Sequence, residues 1–169
     1  MKRILILFSL IFLFTISLSA QAIRIAYIDT IRIMEESNDA REAERLFMVD
    51  RENWNRQLSE MEADIQRLER EYETRRLTLS PQGQREAEER IMTRIREARQ
   101  FHEGIFGNDG LAVRRNQELT APIMVKFREA VEKIALEDNY TVILDATNGI
   151  IWAQERLDIT TQVINEMNR

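Results

Sequence analysis

Residues 54–72 run Trp54-Asn-Arg-Gln-Leu58-Ser-Glu-Met61-Glu-Ala-Asp-Ile65-Gln-Arg-Leu68-Glu-Arg-Glu-Tyr72. The large apolar side chains recur at alternating steps of four and three. That 3.5-residue repeat keeps one narrow seam turned toward a partner helix. Phe47 precedes the set and Leu79 follows it, and nearly everything between is Arg, Glu, Asp or Gln. So thin a stripe cannot be the buried centre of a globule. It predicts an arm, paired along one side and wet on the other. Ala40 to Thr78, about 39 residues, would reach roughly 58 Å at 1.5 Å per residue.

The arm needs a partner, and the next residues supply one. Leu79-Ser80-Pro81-Gln82-Gly83 is a chain reversal. Pro81 disfavours helix at Ser80. Alternatively, Ser80 caps the return helix with Pro81 at its first position. Beyond it the return arm carries Ala87, Ile91, Ile95, Ala98, Phe101 and Ile105, and Ile91, Ala98 and Ile105 repeat every seven as a second stripe with Ile95 and His102 at the interleaved position. Two facing stripes across a short turn predict an antiparallel pair. Gly104, Gly107 and Gly110 close the return arm and predict a kink, frayed turn or loop.

Outward from the arm, strands are predicted at both ends. Ile23-Arg24-Ile25-Ala26-Tyr27-Ile28-Asp29 alternates and reads as a strand, with Asp29 or Thr30 capping a short helix after it. Ser37-Asn38-Asp39 can cap the long arm. Leu111 to Asp138 is helical, with Leu119, Ile123, Phe127, Val131, Ile134 and Ala135 on one face, bent or restarted near Pro122 and ended by Asn139-Tyr140. Thr141 to Asp145 is a strand. Asn148-Gly149 predicts a two-residue hairpin turn, with Ile150 to Ala153 as the returning strand. Thr160 is expected to cap a last helix, with Ile159 and Ile164 packing across that cap.

Three short strands without a disulfide cannot bury a sizeable core. We expect several protomers to pool them, through Ile25, Tyr27, Val142, Leu144 and Ile151. The fold class is therefore α+β: a long antiparallel coiled-coil hairpin (40–110) projecting from a small β-body (23–39 and 111–169) assembled from several chains.

The first 22 residues are expected to be a cleavable signal peptide. Lys2-Arg3, an apolar run from Ile4 to Leu18 and Ala20-Gln21-Ala22 match its basic, apolar and small-residue regions. The apolar run is short for a membrane span. The chain has no Cys and a net charge of −5, and loss of Lys2 and Arg3 takes it to −7. An acidic, exported chain argues against nucleic acid as partner.

This arrangement resembles the Skp/OmpH periplasmic chaperones of Gram-negative bacteria. Ile25-Ala26-Tyr27-Ile28-Asp29, the charged hairpin, and the block Val142-Ile143-Leu144-Asp145, Asn148 to Ala153 and Leu157-Asp158-Ile159-Thr160-Thr161-Gln162-Val163-Ile164 carry the resemblance. It implies a periplasmic homotrimer whose hairpins surround a cavity and hold unfolded outer-membrane proteins without ATP. The well-known members are basic with Lys-rich arms, whereas this chain is acidic with Arg-rich arms. Between Arg67 and Arg96 there are eight Arg against six Glu. That departure argues against lipopolysaccharide or membrane-surface binding.

Candidate sites follow. Apolar residues off the seam, Met48, Leu77, Met92, Phe101 and Phe106, suit many weak contacts to a non-native chain. Arg67, Arg70, Arg75, Arg76, Arg85 and Arg90 form a basic tip, or a solvated face held by pairs such as Glu71-Arg75 and Glu86-Arg90. No phosphate-binding loop, Ser-His-Asp set or Cys nucleophile is present, so neither enzyme activity nor a cofactor is expected. Asp29, Asp145 and Asp158 are expected to cap or turn the chain, and His102 lacks companions for a metal site. A coiled-coil envelope scaffold or adaptor is the alternative function.

Overall fold

A computed structural model describes residues 23–169. The expected signal peptide lies outside the described residues. Chain order is β1 (Ile25–Ile28), α1 (Thr30–Glu36), α2 (Asn38–Arg75), α3 (Pro81–Phe106), α4 (Leu111–Glu137), β2 (Val142–Asp145), a 3₁₀ turn (Glu155–Leu157) and α5 (Thr160–Met167).

The first three helices start where a side chain can take up an orphan N–H. The Asp29 carboxylate accepts from Arg32 N–H at 3.0 Å and opens α1. Ser37 caps α2 through Ala40 N–H. Ser80 caps α3 through Gly83 N–H at 3.1 Å, with Pro81 in the first turn. Of the two readings of the reversal, the capped return helix is the one formed. The 38 residues of α2 extend about 57 Å.

α2 and α3 form the antiparallel hairpin, and the seam is the one the repeat marked. Trp54, Ala98 and Ile105 are buried, while Leu58, Met61, Ile65, Leu68, Tyr72, Ile91 and Ile95 are half-buried. His102 departs from it. It is exposed and lies on the Phe106 ring at 5.4 Å, while Phe101 is half-buried.

The glycine segment is a tight corner rather than a frayed end. α3 stops at Phe106, and α4 begins after Gly110. A β-carbon on Gly107 would lie 2.5 Å from the Glu103 carbonyl oxygen, and one on Gly110 only 2.3 Å from the Ile105 carbonyl oxygen. Gly104 sits in helix with nothing within 4 Å of that position. The three glycines therefore predict opposite outcomes. Gly104→Ala should stabilise the chain by up to about 1 kcal/mol, whereas Gly107→Ala and Gly110→Ala should lower its melting temperature. Thermal unfolding by circular dichroism checks all three.

β1 and β2 are parallel, in register Ile25↔Val142 through Ile28↔Asp145. Everything from Asp29 to Thr141 is the crossover between them. On its other side β1 meets the C-terminal segment, where Ile159 N–H donates to the Tyr27 carbonyl at 3.0 Å. Ala26, Ile28, Ile33, Ile123, Ile134, Ile159, Val163 and Met167 build the core. Asn168 ties the end of the chain to the α1–α2 junction, accepting from Asn38 N–H at 2.8 Å and donating to the Glu36 carbonyl.

Two sequence expectations fail here. Residues 150–153 join no strand, so the C-terminal hairpin is absent. A two-residue loop of the favoured kind needs positive φ at both central positions, and only Gly149 has it (φ 90°). The Asp145 carboxylate instead accepts Thr147 N–H at 3.0 Å and the Asn148 side-chain amide at 3.0 Å, which makes a local turn. The second concerns Thr160, whose side chain does not cap the last helix. Its hydroxyl accepts from Asp29 N–H at 2.9 Å, while its N–H donates to Asp158 at 2.8 Å.

Candidate client-holding and assembly surfaces

The residues singled out from the sequence fall into three groups in space. The first is the outer face of the two-stranded sheet. Along each strand side chains alternate between faces. Ala26 and Ile28 point into the core, which leaves Ile25 (44% exposed), Val142 (41%) and Leu144 (43%) open, with Tyr27 half-buried among them. Ile151 is fully exposed, and Trp152 beside it is 78% exposed. A groove of about 520 Å³ runs over this face, bordered by Ile25, Tyr27, Leu144, Ile151, Trp152 and Leu157. All five residues expected at a shared body thus border one surface or lie beside it. Trp152 belongs with them, and its place in the apolar run Ile150-Ile151-Trp152 was the signal for it.

Polar groups fix the rim of this face. Thr30 donates to Asp145 at 2.8 Å. Burial alone would raise the Asp145 pKa, yet the bonds from Thr147 and Thr30 outweigh it and hold the carboxyl below its ordinary range. A depressed carboxylate contributes stability above its unfolded pKa, near 3.9, that is lost as pH falls through the folded value. The melting temperature should therefore fall on acidification below about pH 4, less steeply in Asp145→Asn, as a pH series of thermal melts will read. Asp29, Asp145 and Asp158 all spend their oxygens on caps and turns. No group of three or more acidic or His side chains converges as a metal site among the described residues.

The second group lies along the hairpin. Met48 (53% exposed), Met92 (52%) and Leu77 (93%) stand on open surface. Phe101 and Phe106 do not. Phe101 borders a gap in the seam with Met61, Asp64 and Arg94. Phe106 meets Trp54 edge to face at 6.3 Å, and Trp54 meets Phe47 at 6.3 Å in the same way. These three rings bind α2 to the end of α3. Arg115 on α4 adds an ion pair with Asp50 at 2.8 Å. Polar contacts also cross the seam farther out. Asp64 receives Arg94 at 3.3 Å and Arg67 from its own helix. The Tyr72 hydroxyl donates to Glu88, which raises the phenol pKa, and burial adds to the effect.

The third group is the basic tip. Its charges are paired differently from the expected Glu71-Arg75 and Glu86-Arg90 contacts. Arg67 takes Glu71 at 2.8 Å together with Asp64. Arg76 reaches Glu73 only at 4.0 Å, and Arg85 bonds Gln82. Arg70, Arg75 and Arg90 make no ion pair among the described residues. Six arginines here remain a solvated, locally balanced surface rather than one converging site. Among the described residues, no helix is long and apolar enough to cross a membrane.

Comparison with known proteins bears on this geometry. No curated protein matches the sequence. The fold is similar to a Caulobacter crescentus CB15 crystal structure described as OmpH-like and proposed as an outer membrane chaperone. That match has a TM-score of 0.78 and covers 86% of this chain and 84% of the other, at 10% identity. At such identity the likeness speaks for the fold: long helices with a small two-stranded sheet. The sequence itself matches the profile of the outer membrane protein (OmpH-like) family over residues 24–167. That span takes in the strands, the hairpin and the last helix together, and the chain belongs to the OmpH-like family.

Proposed function

We propose that this protein is an ATP-independent periplasmic holdase. It acts as a homotrimer and keeps unfolded outer-membrane β-barrel proteins from aggregating between its arms. The observation that carries the reading is the division of the arm's surface. One thin seam holds the hairpin together, and Met48, Leu77 and Met92 stand outside it. Scattered apolar side chains on a wet helix supply weak, exchangeable contacts whose sum retains a non-native chain. Methionine adapts to differently shaped guests. Family membership supports a chaperone role of this kind. The open sheet face supports self-assembly, because copies of the chain would cover what one copy leaves bare.

The test uses the mature chain from Ile23 and a denatured outer-membrane barrel protein diluted out of urea. Light scattering should fall in proportion to added chaperone and vanish near one oligomer per client, without nucleotide. Undiminished scattering with the oligomer intact would sink the proposal. Capture of one folded partner instead of several barrel proteins would favour an envelope adaptor.

A further inference from the structure

A second apolar groove, of about 360 Å³, opens at the base of the arm between α1, the first turns of α2 and the middle of α4. Met34, Phe47, Leu119, Ile123 and Met124 wall it. Its floor rests on the core, since Ala43 and Ile123 belong to both. The volume is at the small end of ligand pockets and has room for one or two apolar side chains. Met34 is half-buried and Met124 is 46% exposed, so two of its walls are flexible thioethers that can shift around different shapes.

The charges at its mouth are selective. Glu35 and Glu44 are the only charged side chains lining the groove. The acidic residues between them are all paired: Glu36 with Arg32 at 2.8 Å, Asp39 with Lys126 at 2.6 Å, and Glu42 with Arg45 at 2.6 Å. Glu35 and Glu44 make no ion pair among the described residues. The two carboxylates of this stretch that make no ion pair are thus the two that border an apolar opening.

We infer that the groove takes an apolar side chain of an unfolded client lying next to a Lys or Arg of that client. This rests on the holdase reading and sharpens it by naming the segment chosen. The apolar residue leaves water in the groove, and its basic neighbour meets Glu35 and Glu44. Charge of this kind sets partner choice and encounter rate more than total affinity. It also gives an acidic chaperone a way to attract a guest, through local basic patches rather than overall charge.

The absence of Cys makes the test direct, because Asn116→Cys places a single environment-sensitive dye on the groove wall. The labelled mature protein is titrated with two unstructured peptides, one with Phe between lysines and one with Phe between glutamates. The lysine peptide should bind at least about five-fold more tightly at low salt. The preference should shrink in 0.5 M NaCl, where the screening length falls to a few ångströms. It should also shrink in the Glu35→Gln, Glu44→Gln double variant. Equal binding of the two peptides overturns the inference, as does a preference that survives the double variant. A dye response to protein concentration with none to peptide also overturns it, and assigns the groove to a second copy of the chain. Aggregation suppression by unlabelled protein is measured alongside. Holding without peptide preference sinks the groove alone, and preference without holding sinks the general reading.

Discussion

Under the proposed assembly, Leu144→Asp is expected to give monomers that keep their helices. Leu144 is 43% exposed in the single chain and points away from the core, so the change leaves the protomer's core intact. In a shared body the same position is covered. Each copy would then forfeit the burial of a leucine, about 1.5–3 kcal/mol, and would have to bury a carboxylate without a partner. Sedimentation velocity should show the mass of one chain, with far-ultraviolet circular dichroism unchanged. Val142→Asp should behave the same way. Trp152 gives an independent reading. In a Trp54→Phe background its emission should move to the red in the Leu144→Asp variant, because the assembled face no longer covers it. An unchanged oligomer in both variants would show that copies of the chain meet elsewhere.

The second large effect is expected at Trp54. This side chain is 9% exposed and lies edge-on between Phe47 and Phe106, at the level where Arg115 of α4 also reaches α2. Trp54→Ala should cost about 3–5 kcal/mol, from lost burial plus the cavity left behind. The edge-to-face pairs add about 0.5–1.5 kcal/mol beyond area. Trp54→Phe keeps most of the contact and should cost far less. Urea unfolding followed by circular dichroism measures both. A loss under 1 kcal/mol for the alanine variant would mean that the rings do not hold the arm to its base.

The arm was largely legible because its repeat has one solution. Alternating steps of four and three from Trp54 to Tyr72 can meet only a second helix, and the caps at Asp29, Ser37 and Ser80 lie where short polar side chains precede helical runs. The body was less legible for a physical reason. Alternation along β1 marks two faces but does not say which one a single chain buries. Ile25 and Tyr27 alternate with Ala26 and Ile28, and it is Ala26 and Ile28 that the single chain buries. The run Ile150 to Ala153 has strand composition without a strand partner among the described residues, and composition cannot supply one. The groove beside Glu35 and Glu44 left no mark in sequence at all. It arises from α1, α2 and α4 meeting, and from which carboxylates happen to be paired.

The parallel pairing of β1 with β2 also sets an order in time. Ile25 and Val142 stand 117 positions apart, and neither strand has another full-length partner among the described residues. Bringing such distant segments together from an unfolded chain carries a loop-closure cost that local contacts do not. The hairpin avoids it, since Tyr72 and Glu88 are only 16 residues apart and the seam can zip from Ser80 toward the base. Once zipped, it brings the start of α4 alongside α2 and leaves only α1, the base of α2 and α4 as chain between the strands. Arms should therefore form early and the sheet last, so that each chain completes its open sheet face only after its arm is built.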